Sequence, residues 1–168
     1  MSAIQKPEPI GPNHLVGAFD CGEAALNDYL AKFALQNHQA GAARTFVATT
    51  DGRTVIAYYS LAAAEVKFED APARLQKGVA HHPVPVILLA RLAVSRGSQG
   101  QGVGFGMLKD AILRGLQAAE RVGVRAILVH AKDEAAKAFY QRYDFEPLPK
   151  HPLHLVLPLK AARKYVAG

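Results

Sequence analysis

Tryptophan is absent from this sequence, cysteine occurs once and methionine twice. The lone Cys21 excludes a disulfide framework and a cysteine-based metal cluster, and it suits a reduced compartment. No stretch approaches the ~18 apolar residues that a membrane span needs. Residues 1–12 hold one lysine, three prolines and no apolar run, so they match neither a secretory signal nor a transit peptide, and a cytoplasmic protein without membrane contact is expected. Internal repeats are lacking as well. With 168 residues, half of them hydrophobic, the chain is long enough for one domain with an ordinary core. We expect a flexible tail over residues 1–13, one domain over 14–160 and a basic tail over 161–168.

Acid is scarce in the second half. Residues 71–168 carry fifteen basic and six acidic side chains, against five and eight in residues 1–70. No acid follows Glu146, whereas Lys150, Lys160, Arg163 and Lys164 do. Such a field attracts a polyanion such as RNA, or a phosphate-bearing cofactor. The plain alternative is a solvated basic face.

Asp20-Cys21-Gly22-Glu23 reads as a capping box, followed by Leu26, Leu30, Phe33 and Ala34 on one helical face and a stop at Gly41. The β-branched and aromatic runs 45–50 and 55–59, around Asp51-Gly52, read as a hairpin. Residues 68–85 read as a connection with one helical turn near 73–76. The apolar run 86–94 predicts a central strand buried on both faces. A glycine-rich loop then leads into an amphipathic helix through Leu108, Ala111, Ile112, Leu116 and Ala119. A strand at 126–131, a short helix from Glu134 and a strand at 153–159 complete an α/β chain with a mixed sheet.

Strand, glycine loop and helix together make an anion site, because the first helical amides point outward and the dipole favours negative charge there. A P-loop is excluded, since Gly102 is followed by Val103 and Gly104 where lysine and a hydroxyl are required. The dinucleotide fingerprint fails at Phe105. What the loop matches is Gln/Arg-x-x-Gly-x-Gly/Ala, as Gln99-Gly100-Gln101-Gly102-Val103-Gly104. This resembles the acyl-CoA pyrophosphate loop of the GNAT N-acetyltransferases. Leu92-Ala93-Val94 is similar to that family's pantetheine-binding strand, and residues 133–140 resemble its Asn-x-x-Ala-x-x-Phe-Tyr helix. Asp133 replaces the usual Asn, and Asp144 stands where the family has Gly before Phe145.

The resemblance implies a single-domain GNAT fold: a mixed, mostly antiparallel central sheet flanked by helices, with splayed central strands holding acetyl-CoA. Leu92, Ala93, Val94, residues 99–104, Asp133 and Phe139 are the expected cofactor contacts. Direct transfer to an amine leaves a sulfur that needs a proton, and Tyr140 is the expected general acid. Read without the motif, Tyr140 is equally a core ring with a satisfied hydroxyl. The strand 86–94 contains no carboxylate or histidine to serve as base. That favours a weakly basic acceptor, since an α-amino group near ~8 is partly neutral where a lysine near ~10.4 is not. Glu65 or His130 acting through water stays open. His81-His82 lacks a third ligand, so no metal is expected.

Phe19-Asp20-Cys21-Gly22, Tyr29-Leu30, Gln36, Arg44-Thr45-Phe46-Val47, Tyr58-Tyr59-Ser60-Leu61 and Ala90-Arg91-Leu92 look like the GNAT toxins of bacterial toxin–antitoxin pairs. This implies acetylation of the α-amino group of aminoacyl-tRNA, arrest of translation, and neutralisation by a ribbon-helix-helix antitoxin. A homodimer stays open. Arg74, Lys77, Arg91 and Arg96 are the candidates for the RNA surface. The alternatives are a stand-alone acetyltransferase of a small amine or protein amino terminus, and a non-catalytic acyl-CoA- or RNA-binding module.

Overall fold

The structure, a computed structural model, describes residues 3–166. Residues 1–2 and 167–168, the outermost parts of the two expected tails, lie outside the described residues. In chain order the elements are β1 (Glu8–Pro9), α1 (Ala24–Lys32), α2 (Ala34–Ala40), β2 (Arg44–Ala48), β3 (Ala57–Val66), α3 (Ala73–Gln76), β4 (Val84–Val94), α4 (Val103–Ala119), β5 (Ala126–His130), α5 (Glu134–Gln141), β6 (Glu146–Leu148), β7 (His151–Pro158) and α6 (Leu159–Ala162). The strands form one sheet in the order β1-β2-β3-β4-β5-β7-β6. β4 and β5 pair parallel; β1 with β2, β2 with β3, β5 with β7 and β6 with β7 are antiparallel. This is the expected mixed, mostly antiparallel sheet. By packing, the chain divides into two compact units, residues 1–62 with 90–111 and residues 63–89 with 112–168.

In the first unit Ile10, Phe19, Tyr29, Leu30, Val47, Val55, Tyr58 and Ala93 form the core. The amino-terminal segment is not the free tail expected: Gln5 N donates to Thr49 O at 2.8 Å and Ile10 N to Thr45 O at 3.0 Å, with β1 paired to β2 between them. Buried Ile10 holds it there. Asp20 does not cap α1 either. Its Oδ1 accepts from Gly22 N at 2.9 Å and from Asn27 Nδ2 at 3.0 Å, which makes a turn at Gly22 (φ 94°) before the helix opens at Ala24. The helical run breaks at Phe33, where φ reaches −125°, so α1 and α2 are separate and Phe33 is 51% exposed and not on the buried face. α2 ends as expected on Gly41 in the left-handed region (φ 77°).

In the second unit Val66, Leu75, Val84, Val86, Ala126, Leu128, Leu148 and Val156 form the core. The register of β4 with β5 runs from Val86↔Ala126 to Leu89↔Val129. β4 is buried on both faces only near its start. From Ala90 to Val94 most of its side chains are half-buried, with Ala93 alone in the core. β6 is an element that the sequence reading passed over. The carboxyl terminus is ordered further than a free tail would be, because Leu159 and Ala162 of α6 are buried and Lys164 and Tyr165 both engage Asp144.

Candidate active site

β4 ends at Val94 and a short turn at Arg96–Ser98 leads into the glycine loop. Gln99 does not point its side chain outward. Its Nε2 donates to Val94 O at 2.8 Å and to Cys21 O at 3.0 Å, pinning the loop to the end of β4 and to the turn before α1. Gln99 N turns back towards Arg96 O at 3.4 Å. Gly100 and Gly102 take φ of 75° and 81°, a conformation that L side chains rarely adopt. A Cβ on either would meet nothing within 4 Å, so the outer face of the loop is open backbone. The helical ladder of α4 begins with Gly106 N donating to Gly102 O at 3.1 Å. The amides of Gly102, Val103 and Gly104 therefore open the helix with no carbonyl one turn earlier. Open backbone and positive φ at the start of a helix fit a diphosphate.

In the second unit, Asp133 caps α5, its Oδ1 accepting from Ala136 N at 2.8 Å. The carboxylate that was expected to touch the cofactor thus has a local partner. Seven residues on, Tyr140 is buried, its ring edge-on to Phe139 at 5.1 Å and to Phe145 at 5.3 Å. Burial pushes its phenol well above the usual tyrosine value. Among the described residues no group hydrogen-bonds Tyr140 Oη, whereas the core tyrosine Tyr58 donates to Leu26 O at 2.7 Å. Phe139 is half-buried and also meets the Tyr143 ring at 5.3 Å. Asp144 fills the glycine position of the family pattern by adopting φ 71° itself, and its carboxylate is taken by Lys164 and Tyr165.

Glu65 is exposed on β3. His130 closes β5 and stacks on His154 at 3.9 Å, which stacks on His151 at 5.1 Å. Burial, and then the nearby His151, hold His130 below the usual histidine value. This column of imidazoles comes from β5 and β7 in register and has no signature in the sequence. His81 packs against the Phe68 ring at 4.2 Å.

The cationic candidates separate. Arg91 lies over the Tyr29 ring, 3.6 Å from its centroid, and Arg96 is held by Asp20 at 3.2 Å. Arg74 and Lys77 line a groove of about 700 Å³ with Arg125, Lys160 and Arg163. Arg125 is fixed there by its N donating to Pro85 O at 2.9 Å and its carbonyl accepting from Leu159 N at 3.0 Å. Arg74 Nε lies 3.0 Å from Glu146 Oε1, an ion pair without hydrogen-bond geometry. The sequence reading did not single out Arg125 or Lys160 for the RNA surface and placed Arg163 in the basic tail.

A strand feeding a glycine loop and helix, in an α/β sheet with a buried tyrosine on the following short helix, defines an acyl-CoA-dependent transferase. The chain belongs to the GNAT acetyltransferase family: residues 41–147 match its acetyltransferase (GNAT) domain. It is similar to the "tRNA-acetylating toxin" of Mycobacterium tuberculosis, 49% identical over 166 residues, which cover 99% of each chain. Among solved structures, AtaT complexed with acetyl-methionyl-tRNAfMet superposes with a TM-score of 0.89 at 27% identity, covering 98% of this chain and 100% of that one. A mutant AtaT toxin bound to the C-terminus of the antitoxin AtaR and acetyl-CoA gives 0.82 at 26% identity, covering 98% and 99%. The present chain is an acetyl-CoA-dependent N-acetyltransferase.

Proposed function

We propose that this acetyltransferase modifies the α-amino group of aminoacyl-tRNA and so arrests translation. The observation that carries the reading is the 49% identity, over 99% of both chains, to a tRNA-acetylating toxin. The site's chemistry agrees with it. Bound acetyl-CoA supplies an activated acetyl thioester. Loop amides from residues 100–104 would hold the diphosphate, and the backbone of Leu92, Ala93 and Val94 would bind the pantetheine arm. Tyr140, which holds a proton at Oη, would be the general acid for the thiolate leaving group. β4 carries no carboxylate or histidine, which suits an acceptor that is partly neutral near pH 8 without help. His130, whose affinity for a proton is lowered by partial desolvation and by His151, is the side chain best suited to take a proton through water.

The groove lined by Arg74, Lys77, Arg125, Lys160 and Arg163 is the surface we assign to the RNA backbone, since its described lining holds five cations, of which Arg74 is paired with Glu146, and no carboxylate. Arg91 and Arg96, engaged with Tyr29 and Asp20, act first as structural residues. The same reading includes a ribbon-helix-helix antitoxin as protein partner and action in the cytoplasm, where charged tRNA is found. The test offers labelled acetyl-CoA with charged tRNA, uncharged tRNA, free amino acids and polyamines. Label is expected on charged tRNA alone, and transfer to the small amines without charged tRNA would overturn the reading.

A further inference from the structure

The diphosphate site has an electrostatic gap. A pyrophosphate carries two negative charges, yet residues 99–104 contain no cation. Arg96, just before the loop, is paired with Asp20 at 3.2 Å and lies 3.6 Å from where a Cβ of Gly22 would be. The Gln99 side chain is turned inward. Amides and a helix dipole provide only partial charges. On the open side of the loop, however, residues 4–7 form the opposite wall of a cleft of about 270 Å³ whose floor is Gln101, Gly102, Val103 and Gly106. A Cβ at Gly102 or Gly106 would meet nothing within 4 Å, so the backbone is open at those two positions of the floor. Among the described residues the one charged residue lining the cleft is Lys6.

The backbone around Lys6 is fixed on both sides, by Gln5 N on Thr49 O at 2.8 Å and by the pairing of Glu8 with Val47. The nearest carboxylate in the segment, Glu8, is taken by His14 at 2.8 Å, and Lys6 is exposed at the cleft's edge. We propose that Lys6 supplies the full positive charge of the acetyl-CoA pyrophosphate site, and that the amino-terminal segment is one wall of that site. The inference rests on the loop being the diphosphate cradle.

Calorimetric titration of the full-length protein tests it, using acetyl-CoA and 3′-dephospho-acetyl-CoA with the wild type, Lys6→Gln, Lys6→Arg and Gly104→Glu. Lys6→Gln is expected to weaken both ligands equally, by about three- to tenfold, as for a partly exposed charge contact. It should also flatten the salt dependence, while Lys6→Arg restores both and the thermal midpoint stays unchanged. Unaltered affinity in Lys6→Gln overturns the proposal. A loss confined to acetyl-CoA overturns it too, by moving the contact to the 3′-phosphate. Gly104→Glu separates the two layers: if it still binds normally, the loop is not the cradle and this inference falls with it.

Discussion

At the scale of single residues, the chemistry turns on one phenol. Tyr58 and Tyr140 are both buried and both pushed above the usual tyrosine value by loss of water. Tyr58 spends its hydroxyl on Leu26 O. Tyr140 has no such partner among the described residues, which suits the role of proton donor proposed for it. Tyr140→Phe is expected to keep the thermal midpoint and the acetyl-CoA affinity but to lower kcat by about 10²–10⁴-fold, the usual worth of a general acid. Wild-type turnover in this variant would make Tyr140 a core residue. The raised value also fixes the sign of the pH dependence. Burial disfavours phenolate, so the proton remains on Oη at alkaline pH, while the acceptor amine loses its proton near ~8. The pH profile of kcat should therefore rise through that range and show no decline up to pH ~10; a falling limb below pH 9 would contradict the assignment. The sequence singled out Tyr140 as a candidate through its motif. It could not expose that Gln99 points inward, or that Asp144 supplies the left-handed turn its family gives to glycine, because both depend on partners far along the chain.

At the scale of elements, what was legible was what is periodic. The apolar run that becomes β4, the stripe of α4 and the turn at α3 all have local patterns, and each forms where it was expected. β6 is three residues long with a proline in it, too short for any period to register. The break at Phe33 escaped for a different reason, since the apolar spacing continues across it and only the backbone departs. One contact tests how α4 meets the sheet. Gly115 faces β5 so closely that a Cβ there would lie 3.2 Å from Ile127 Cδ1 and 3.8 Å from Ile87 Cδ1. Both isoleucines are buried, so moving either one aside disturbs the core around it. Gly115→Leu should gain about 1 kcal/mol in helix propensity but lose more to overpacking, about 1–3 kcal/mol or above. Chemical denaturation should show net destabilisation, and a variant as stable as the wild type would show that α4 shifts on the sheet at no cost.

At the scale of the whole molecule the decisive quantity is charge. Net charge of +6, concentrated after residue 70, was readable from composition alone. The convergence of Arg74 and Lys77 with Arg125, Lys160 and Arg163 was not, because it needs the chain to bring α3, the start of β5 and α6 around one groove. If that groove holds RNA phosphates, each contact releases counterions, and log affinity should fall by about 0.7 to 0.9 per log unit of salt for every contact made. Lys77→Gln with Arg163→Gln should weaken binding of charged tRNA and reduce that slope by about two contacts' worth. Acetyl-CoA affinity should not change, since neither residue belongs to the glycine loop. Arg96→Gln should alter the slope little, because Asp20 already neutralises that guanidinium. A groove variant with the wild-type slope would move the RNA surface elsewhere, and a loss of slope in Arg96→Gln would show that the ion pair with Asp20 opens when RNA binds.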